Sequence, residues 1–426
     1  MAKQLRERQS VEIEKTLSYV MGVPRNKEDI LDIATLVERL KETSLFAYRG
    51  LDIGEEGDPI ISLNYEGTDY LVQLILEDVE VPELFRINHR FSQEDYEILT
   101  QSEIGITTAM KFSEDVMESY LVQLKVIYTL MPDLIGLIDY SAERIYSGVW
   151  ATLAAQSKVP PSPNYLYSIQ AVSNEEADCV WMHTHGLNRC GRIELELLDM
   201  DKENYQDYSA LVQGFADRLL SKPVEEIARE GEAQFIAYTH NRESIVATWI
   251  PWESAVGYYD EEMLGGAKSH EEHGWPSGVI YLYLNEEDYQ NGKLVAPNAL
   301  GDQLHDNIVV FFSDKETERM RALAQERFEY FRKYALNKDY HSIVKFGLSV
   351  DKEYEENSCD GREHIWFEIL EINGNKMKAK LTQEPYMIKN LKVHDILELD
   401  VEQMTDWLIY TPEFSVNPDE IYLLEG

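Results

Sequence analysis

The apolar residues of this chain come in short runs whose period switches repeatedly between 3.6 and two, and that switching limits the fold more than any other feature. Ile30, Ile33, Ala34, Val37 and Leu40 recur at helical spacing, behind Asn26 as a cap. Residues 60–65 and 70–76 read as strands joined by a turn at Glu66-Gly67-Thr68. The plan recurs on a larger scale downstream. Residues 104–112 form a candidate strand. A helix follows, capped by Ser113, with Val116, Tyr120, Leu121, Leu124 and Tyr128 on its apolar face and Pro132 as its stop. Strand-like segments at 134–138, 165–172, 179–185 and 192–198 precede a helix marked by Tyr208, Leu211, Val212, Phe215 and Leu219 and ended by Pro223.

Strand, helix, several strands and helix in that order predict an α+β protein of tandem ferredoxin-like α/β sandwich modules, followed by a small, mostly β C-terminal domain. The expected divisions are residues 1–100, an N-terminal α+β module, and 101–222, a second such module. Residues 223–338 form a middle α+β section and 339–426 the β domain. The middle section ends in an expected helix over 315–335. Met320, Leu323, Ala324, Phe328 and Phe331 line one side of it, and Arg319, Arg321, Arg327, Arg332 and Lys333 make it locally basic. That basic side is either solvated or docked on an acidic neighbour. In the last domain residues 365–372 alternate up to Asn373-Gly374, the best short hairpin signal in the chain, and Trp407 is expected in the core.

Charge narrows the partners. Asp and Glu total 78 against 39 Lys and Arg, a net charge of −39. Such a field repels phosphate backbones, so no nucleic acid is expected; a basic protein partner or a plain solvated surface is. No apolar run reaches the roughly 20 residues that cross a bilayer, so no membrane association is expected either. The amino terminus lacks a signal-like apolar run, and the sparse cysteines Cys179, Cys190 and Cys359 fit a reducing compartment, so the expected location is the cytoplasm.

The densest chemistry lies between Cys179 and Glu196. If 179–185 is a strand, His183 and His185 share a face, because side chains alternate. Glu194 and Glu196 would share a face of the next strand. Trp181, His183, His185, Arg192, Glu194 and Glu196 are therefore the candidate polar site. His183 and His185 are its candidate ligands for a divalent metal, with a glutamate as third ligand or general base. The competing reading is structural: imidazoles hydrogen-bonded to carboxylates or backbone, with no cofactor. Two hydrolase patterns built on His-x-His do not fit: metalloproteases of the deubiquitinase-like kind need a Ser where Ile193 stands, and phosphoesterases of the polymerase-and-histidinol type need an Asp shortly before the histidines, where Trp181-Met182 stand. His270-Glu271-Glu272-His273 misses the zinc-protease spacing by one residue, and Gly265-Gly266-Ala267-Lys268-Ser269 lacks the spacing of a phosphate loop.

Two resemblances add to this. Glu363-His364, Trp366, Glu368, Leu381 to Glu384-Pro385, and Asp406-Trp407 resemble a YegJ-like bacterial domain of unknown function over about the last 85 residues. The preceding part, through Trp150-Ala151, Pro160-Pro161-Ser162-Pro163 and Trp181-Met182-His183-Thr184-His185-Gly186-Leu187, is similar to a second uncharacterised bacterial family often joined to the first. The resemblances imply a bacterial, modular protein and supply no catalytic residues.

Three functional readings follow. One is a non-catalytic binding or adaptor protein, immunity- or stress-related, covering a basic partner. Another is a metal-dependent hydrolase or other small-molecule enzyme centred on His183 and His185. The third is a structural unit of an oligomer, with some of the 26 tyrosines at interfaces. The sequence leaves the oligomeric state open.

Overall fold

The computed structural model describes residues 13–55, 57–86, 89–173, 178–222, 229–238, 243–259, 263–272, 276–303, 309–310, 314–357 and 361–425. The chain divides into two compact units, one of Met1–Gln156 with Pro161–Ser313, the other of Ser157–Pro160 with Asp314–Gly426. The expected α+β class is borne out by three sheets with helices, and the last unit is mostly β.

The first unit holds two seven-stranded sheets. The first sheet is built from β1 (Ser18–Pro24), β2 (Ala47–Ile53), β3 (Pro59–Tyr65), β4 (Thr68–Asp78), β5 (Ile104–Met110), β6 (Leu134–Asp139) and β7 (Arg144–Ser147). Their order is β2-β3-β4-β5-β1-β6-β7, antiparallel throughout. Strand β1 lies between β5 and β6, and every residue of it except Tyr19 is buried. The helix Val116–Leu130 presses on it so closely that a Cβ at Gly22 would lie 2.5 Å from Ile127. The predicted turn joining β3 to β4 is present, with positive φ at both Glu66 and Gly67, as a tight hairpin requires.

Two expected caps move. The helix Val116–Leu130 is capped by Asp115, which accepts from the Glu118 N–H at 3.0 Å, and not by Ser113. A carboxylate one residue before the helix is the stronger and nearer acceptor. Ser113 instead donates its backbone N–H to the Ser119 hydroxyl. The first expected helix is split at Asp32, which caps Ile33–Glu42 by accepting from Ala34, while Asn26 accepts from Glu28 ahead of Glu28–Leu31.

The second sheet comprises β8 (Ser168–Val172), β9 (Cys179–His185), β10 (Glu194–Asp201), β11 (Gln234–Tyr238), β12 (Ser244–Pro251), β13 (Ser277–Tyr283) and β14 (Val309–Val310). The order is β14-β11-β12-β13-β10-β9-β8, antiparallel except for the parallel pair β10–β13. The helix Tyr205–Ser221 buries the stripe read from the sequence, Tyr208 to Leu219, against it; Pro223 lies outside the described residues. The Gly-rich segment after β12 closes over Trp181 and Leu198. A Cβ on Gly265, whose φ is +77°, would lie 2.7 Å from Trp181.

Boundaries expected at 100/101 and 222/223 fall inside these layers. Strand β5 pairs with β4 and β1, and β13 pairs with β10. Local periodicity reveals strands but not which distant strands share hydrogen bonds.

The second unit carries β15 (His341–Ser349), β16 (Arg362–Asn373), β17 (Lys376–Leu381), β18 (Ile396–Asp400), β19 (Met404–Tyr410) and β20 (Ser415–Val416), ordered β18-β17-β16-β15-β19-β20. The Asn373-Gly374 hairpin joins β16 to β17 as predicted, and Trp407 is fully buried, its indole N–H donating to the Ala324 carbonyl at 3.2 Å. The helix expected over 315–335 breaks at Arg327 into Asp314–Glu326 and Phe328–Tyr334. The cause is local: Arg327 is buried and donates to the Pro418 carbonyl at 2.6 Å. All five basic side chains have partners within the unit: Arg319 bridges Glu316 and Asp419 at 2.8 and 2.7 Å, Arg321 donates to the Glu402 carbonyl at 3.2 Å, Arg332 pairs with Glu329, and Lys333 pairs with Glu425 at 2.8 Å.

Candidate functional site

Alternation along β9 puts Trp181, His183 and His185 on one face, as the sequence predicts. The rings stack in series. Trp181 lies 4.2 Å from His183 at 30°, and His183 lies 4.8 Å from His185, edge to face. In the register of β9 on β10, Glu196 stands opposite His183. Its carboxylate accepts from the Trp181 indole at 2.8 Å and contacts His270 Nε2 at 2.6 Å. The His270 ring lies flat on Trp252, 3.9 Å away at 16°. At the other end His185 Nδ1 is 3.2 Å from Glu143, in the turn between β6 and β7. Burial holds the Glu143 carboxyl above its ordinary range, opposed by an amide donated from Gln170. His183 and His185 are 3 % and 8 % exposed, Glu194 and Glu196 4 % and 2 %.

Two predicted members leave this cluster. Glu194 turns to the Gly186–Asn188 turn, accepting from the Thr184 hydroxyl at 2.7 Å and from the Gly186 and Asn188 N–H groups at 2.9 Å each. Burial outweighs those donors and pushes its carboxyl up to about 7. Arg192 donates to the Leu219 and Lys222 carbonyls, closing the C-terminal end of the helix Tyr205–Ser221, and to Cys190. The Cys190 thiol is buried, and burial pushes it up to about 12, away from the thiolate that a nucleophile needs.

The sequence reading missed Glu143, His270, Trp252 and Arg189. Arg189 is fully buried and makes paired hydrogen bonds to Asp139 at 2.9 and 3.0 Å. It also donates to the Ser18 hydroxyl and the Leu166 carbonyl, and its guanidinium faces the Tyr120 ring at 4.9 Å. Ser18 and Asp139 belong to the first sheet, so this side chain ties the turn after β9 to the other sheet of the same unit.

What the arrangement can do chemically is limited by its geometry. Ser277 Oγ lies 3.4 Å from His270 Nε2, but that same nitrogen already meets Glu196. A nucleophile and an orienting carboxylate must use opposite ring nitrogens, so Ser277, His270 and Glu196 do not form a triad. A zinc-like site needs three or four ligands. Among the described residues no group of three or more His, Cys, Asp or Glu side chains is placed to hold a metal ion. The second histidine of His270-Glu271-Glu272-His273 lies outside the described residues, and His270 itself sits in a 3₁₀ turn, Ser269–Glu272.

Residues 18–161 match a model described as protein of unknown function (DUF4026) N-terminal, and residues 169–281 its C-terminal counterpart. The chain belongs to the DUF4026 family. Residues 314–416 match an uncharacterized protein conserved in bacteria (DUF2314), which gives the two-family arrangement the resemblances implied. That third match begins with the helix Asp314–Glu326, earlier than the expected boundary at 339. The Arg189 contacts thus join the N-terminal and C-terminal segments of the DUF4026 part. No curated protein and no solved structure matches the chain. Among the described residues no helix is long and apolar enough to cross a membrane.

Proposed function

We propose that this DUF4026 protein is a non-catalytic binding protein, an adaptor for a basic protein partner, and that residues 179–196 are the joint of its first unit. The observation that carries this reading is the state of the polar cluster. Both glutamates of the motif are spent on protein donors, and both imidazoles are packed against neighbouring rings and buried, at 3 % and 8 % exposure. General acid–base work needs a group within hydrogen-bond reach of a substrate proton, with space for the substrate. The net charge of −39 supports the basic nature of the partner through steering and complementarity. A pull-down from native lysate is expected to return a protein of high isoelectric point whose capture weakens as salt is raised. Empty eluates at both low and moderate salt would remove the reading.

The enzyme reading has its own check. Purified protein is expected to carry no stoichiometric zinc or manganese by elemental analysis, and to show no thermal shift when either is added. Replacing His183 and His185 together by Ala is expected to cost about 2–4 kcal/mol through lost ring packing and the lost His185 contact to Glu143, which keeps only the Gln170 amide of the two. Stoichiometric metal that disappears in that variant would instead establish His183 and His185 as ligands.

A further inference from the structure

A recess of about 550 Å³ opens on one face of the second unit's sheet, sharing no residue with the 179–196 cluster. That volume lies within the range of small-ligand pockets, roughly 300–1,000 Å³. Strand register builds it. His341 stands opposite Tyr410, Ile343 opposite Leu408 and Lys345 opposite Trp366, so these side chains rise from the same face. The other face of the same strands is core, with Val344, Phe367 and Trp407 fully buried. Ile343 and Leu408 form the floor of the recess. The rings of His341 and Tyr410, 5.9 Å apart and within 23° of parallel, stand at one end, and Trp366 stands at the other. The Thr382 hydroxyl and N–H both donate to the Trp366 carbonyl, at 2.7 and 3.2 Å, and so hold Gln383 at the rim.

We propose that this recess binds a flat, uncharged nitrogen heterocycle with a donor and an acceptor side by side on its edge, the chemistry of a nucleobase. The inference goes beyond the adaptor reading and does not rest on it. Aromatic walls over an aliphatic floor favour a flat ring. Its edge is read by polar groups that the chain has not spent on itself. Among the described residues the Trp366 indole N–H, the Gln383 amide and the Tyr410 hydroxyl make no hydrogen bond, in contrast to the glutamates of the 179–196 cluster. The Gln383 amide holds an acceptor and donors in one plane, so it meets a cyclic amide edge with two hydrogen bonds. The indole N–H supplies a donor for a further ring carbonyl.

Charge does not select this ligand. No Asp, Glu, Lys or Arg lines the recess. On the same face Glu368 is paired with Lys380 at 2.5 Å, while Lys345 lies over the Trp366 ring at 4.7 Å and faces Asp406 across the register. A phosphate on the ligand would meet the field of a chain with net charge −39. The expected form is therefore a base or nucleoside, not a nucleotide or a strand.

The test is calorimetric titration of the full chain with uracil. The control is 1,3-dimethyluracil, which keeps the ring and its carbonyls and loses both N–H donors. Uracil is expected to bind, and the control to bind about tenfold more weakly. Gln383→Leu is expected to weaken uracil about tenfold and to leave the two ligands alike, because the paired edge contact is gone. Trp366→Phe keeps a flat wall without the N–H and is expected to weaken both ligands. Gln383 is exposed, so its variant keeps the fold, which a matching circular dichroism spectrum would verify. No heat from uracil at millimolar concentration, equal binding of the two ligands by the native chain, or indifference of uracil to Gln383→Leu would each overturn the proposal. Uridine binding as well as uracil, with uridine monophosphate weaker, would identify a nucleoside as the source. Uracil binding without uridine would identify the free base. Oligouridine binding more tightly than uridine would make the occupant a strand and overturn the proposal.

Discussion

Arg189→Met is expected to destabilise the first unit by about 3–5 kcal/mol, read as a fall in the urea midpoint. Arg189 and Asp139 are both fully buried and joined by two hydrogen bonds, at 2.9 and 3.0 Å. Removing the guanidinium leaves a carboxylate in the interior that, among the described residues, keeps the Tyr120 hydroxyl at 3.1 Å and the Ala142 N–H at 2.9 Å as donors. The loss therefore measures an uncompensated charge, not the net worth of the pair. That distinction has a test. Asp139→Asn removes the charge, keeps one amide oxygen to accept from the Ala142 N–H, and turns its NH2 toward the Tyr120 hydroxyl oxygen, which can accept. The double variant Arg189→Met with Asp139→Asn is thus expected to be more stable than Arg189→Met alone. A single variant that loses less than about 1 kcal/mol, or a double variant worse than the sum of its parts, would deny the clamp.

The same residue shows how far sequence reasoning reaches. Many strands and helices, and the hairpin turns at Glu66-Gly67 and Asn373-Gly374, were legible because they depend on local periodicity, whereas the helices Gln93–Gln101 and Gly148–Gln156 were not read. The shared face of Trp181, His183 and His185 was legible because alternation is a property of one strand. Arg189 was not, because its partners Ser18 and Asp139 lie 171 and 50 residues away, on the other sheet. His270 was read as part of a loop motif, yet its contact with Glu196 spans 74 residues. Glu194 and Glu196 alternate onto one face in an ideal strand, but Glu194 begins β10 and its carboxylate is drawn to the open N–H groups of the Gly186–Asn188 turn. Unpaired backbone donors at a turn outbid the ideal alternation, because a buried N–H without an acceptor costs about 1–3 kcal/mol.

That displaced glutamate gives the second large effect, a dependence of stability on pH. Burial raises the Glu194 carboxyl from an ordinary value near 4.5 to about 7. The folded chain therefore holds the proton more tightly than the unfolded chain, and the resulting stabilisation is complete below about pH 4.5 and lost as pH rises through about 7. The amount at stake is about 3 kcal/mol. Glu194→Gln cannot ionise, while its carbonyl can still accept from Gly186 and Asn188. The stability difference between the native chain and this variant is expected to shrink, and then change sign, as pH is raised from about 5 to 8. Urea midpoints across that interval measure it, with the variant correcting for every other titrating group. Parallel curves would mean that Glu194 is ionised in the folded chain throughout. The turn Glu194 holds is the one that delivers Arg189, so protonation of this carboxyl and burial of that guanidinium stabilise the same joint between the two sheets.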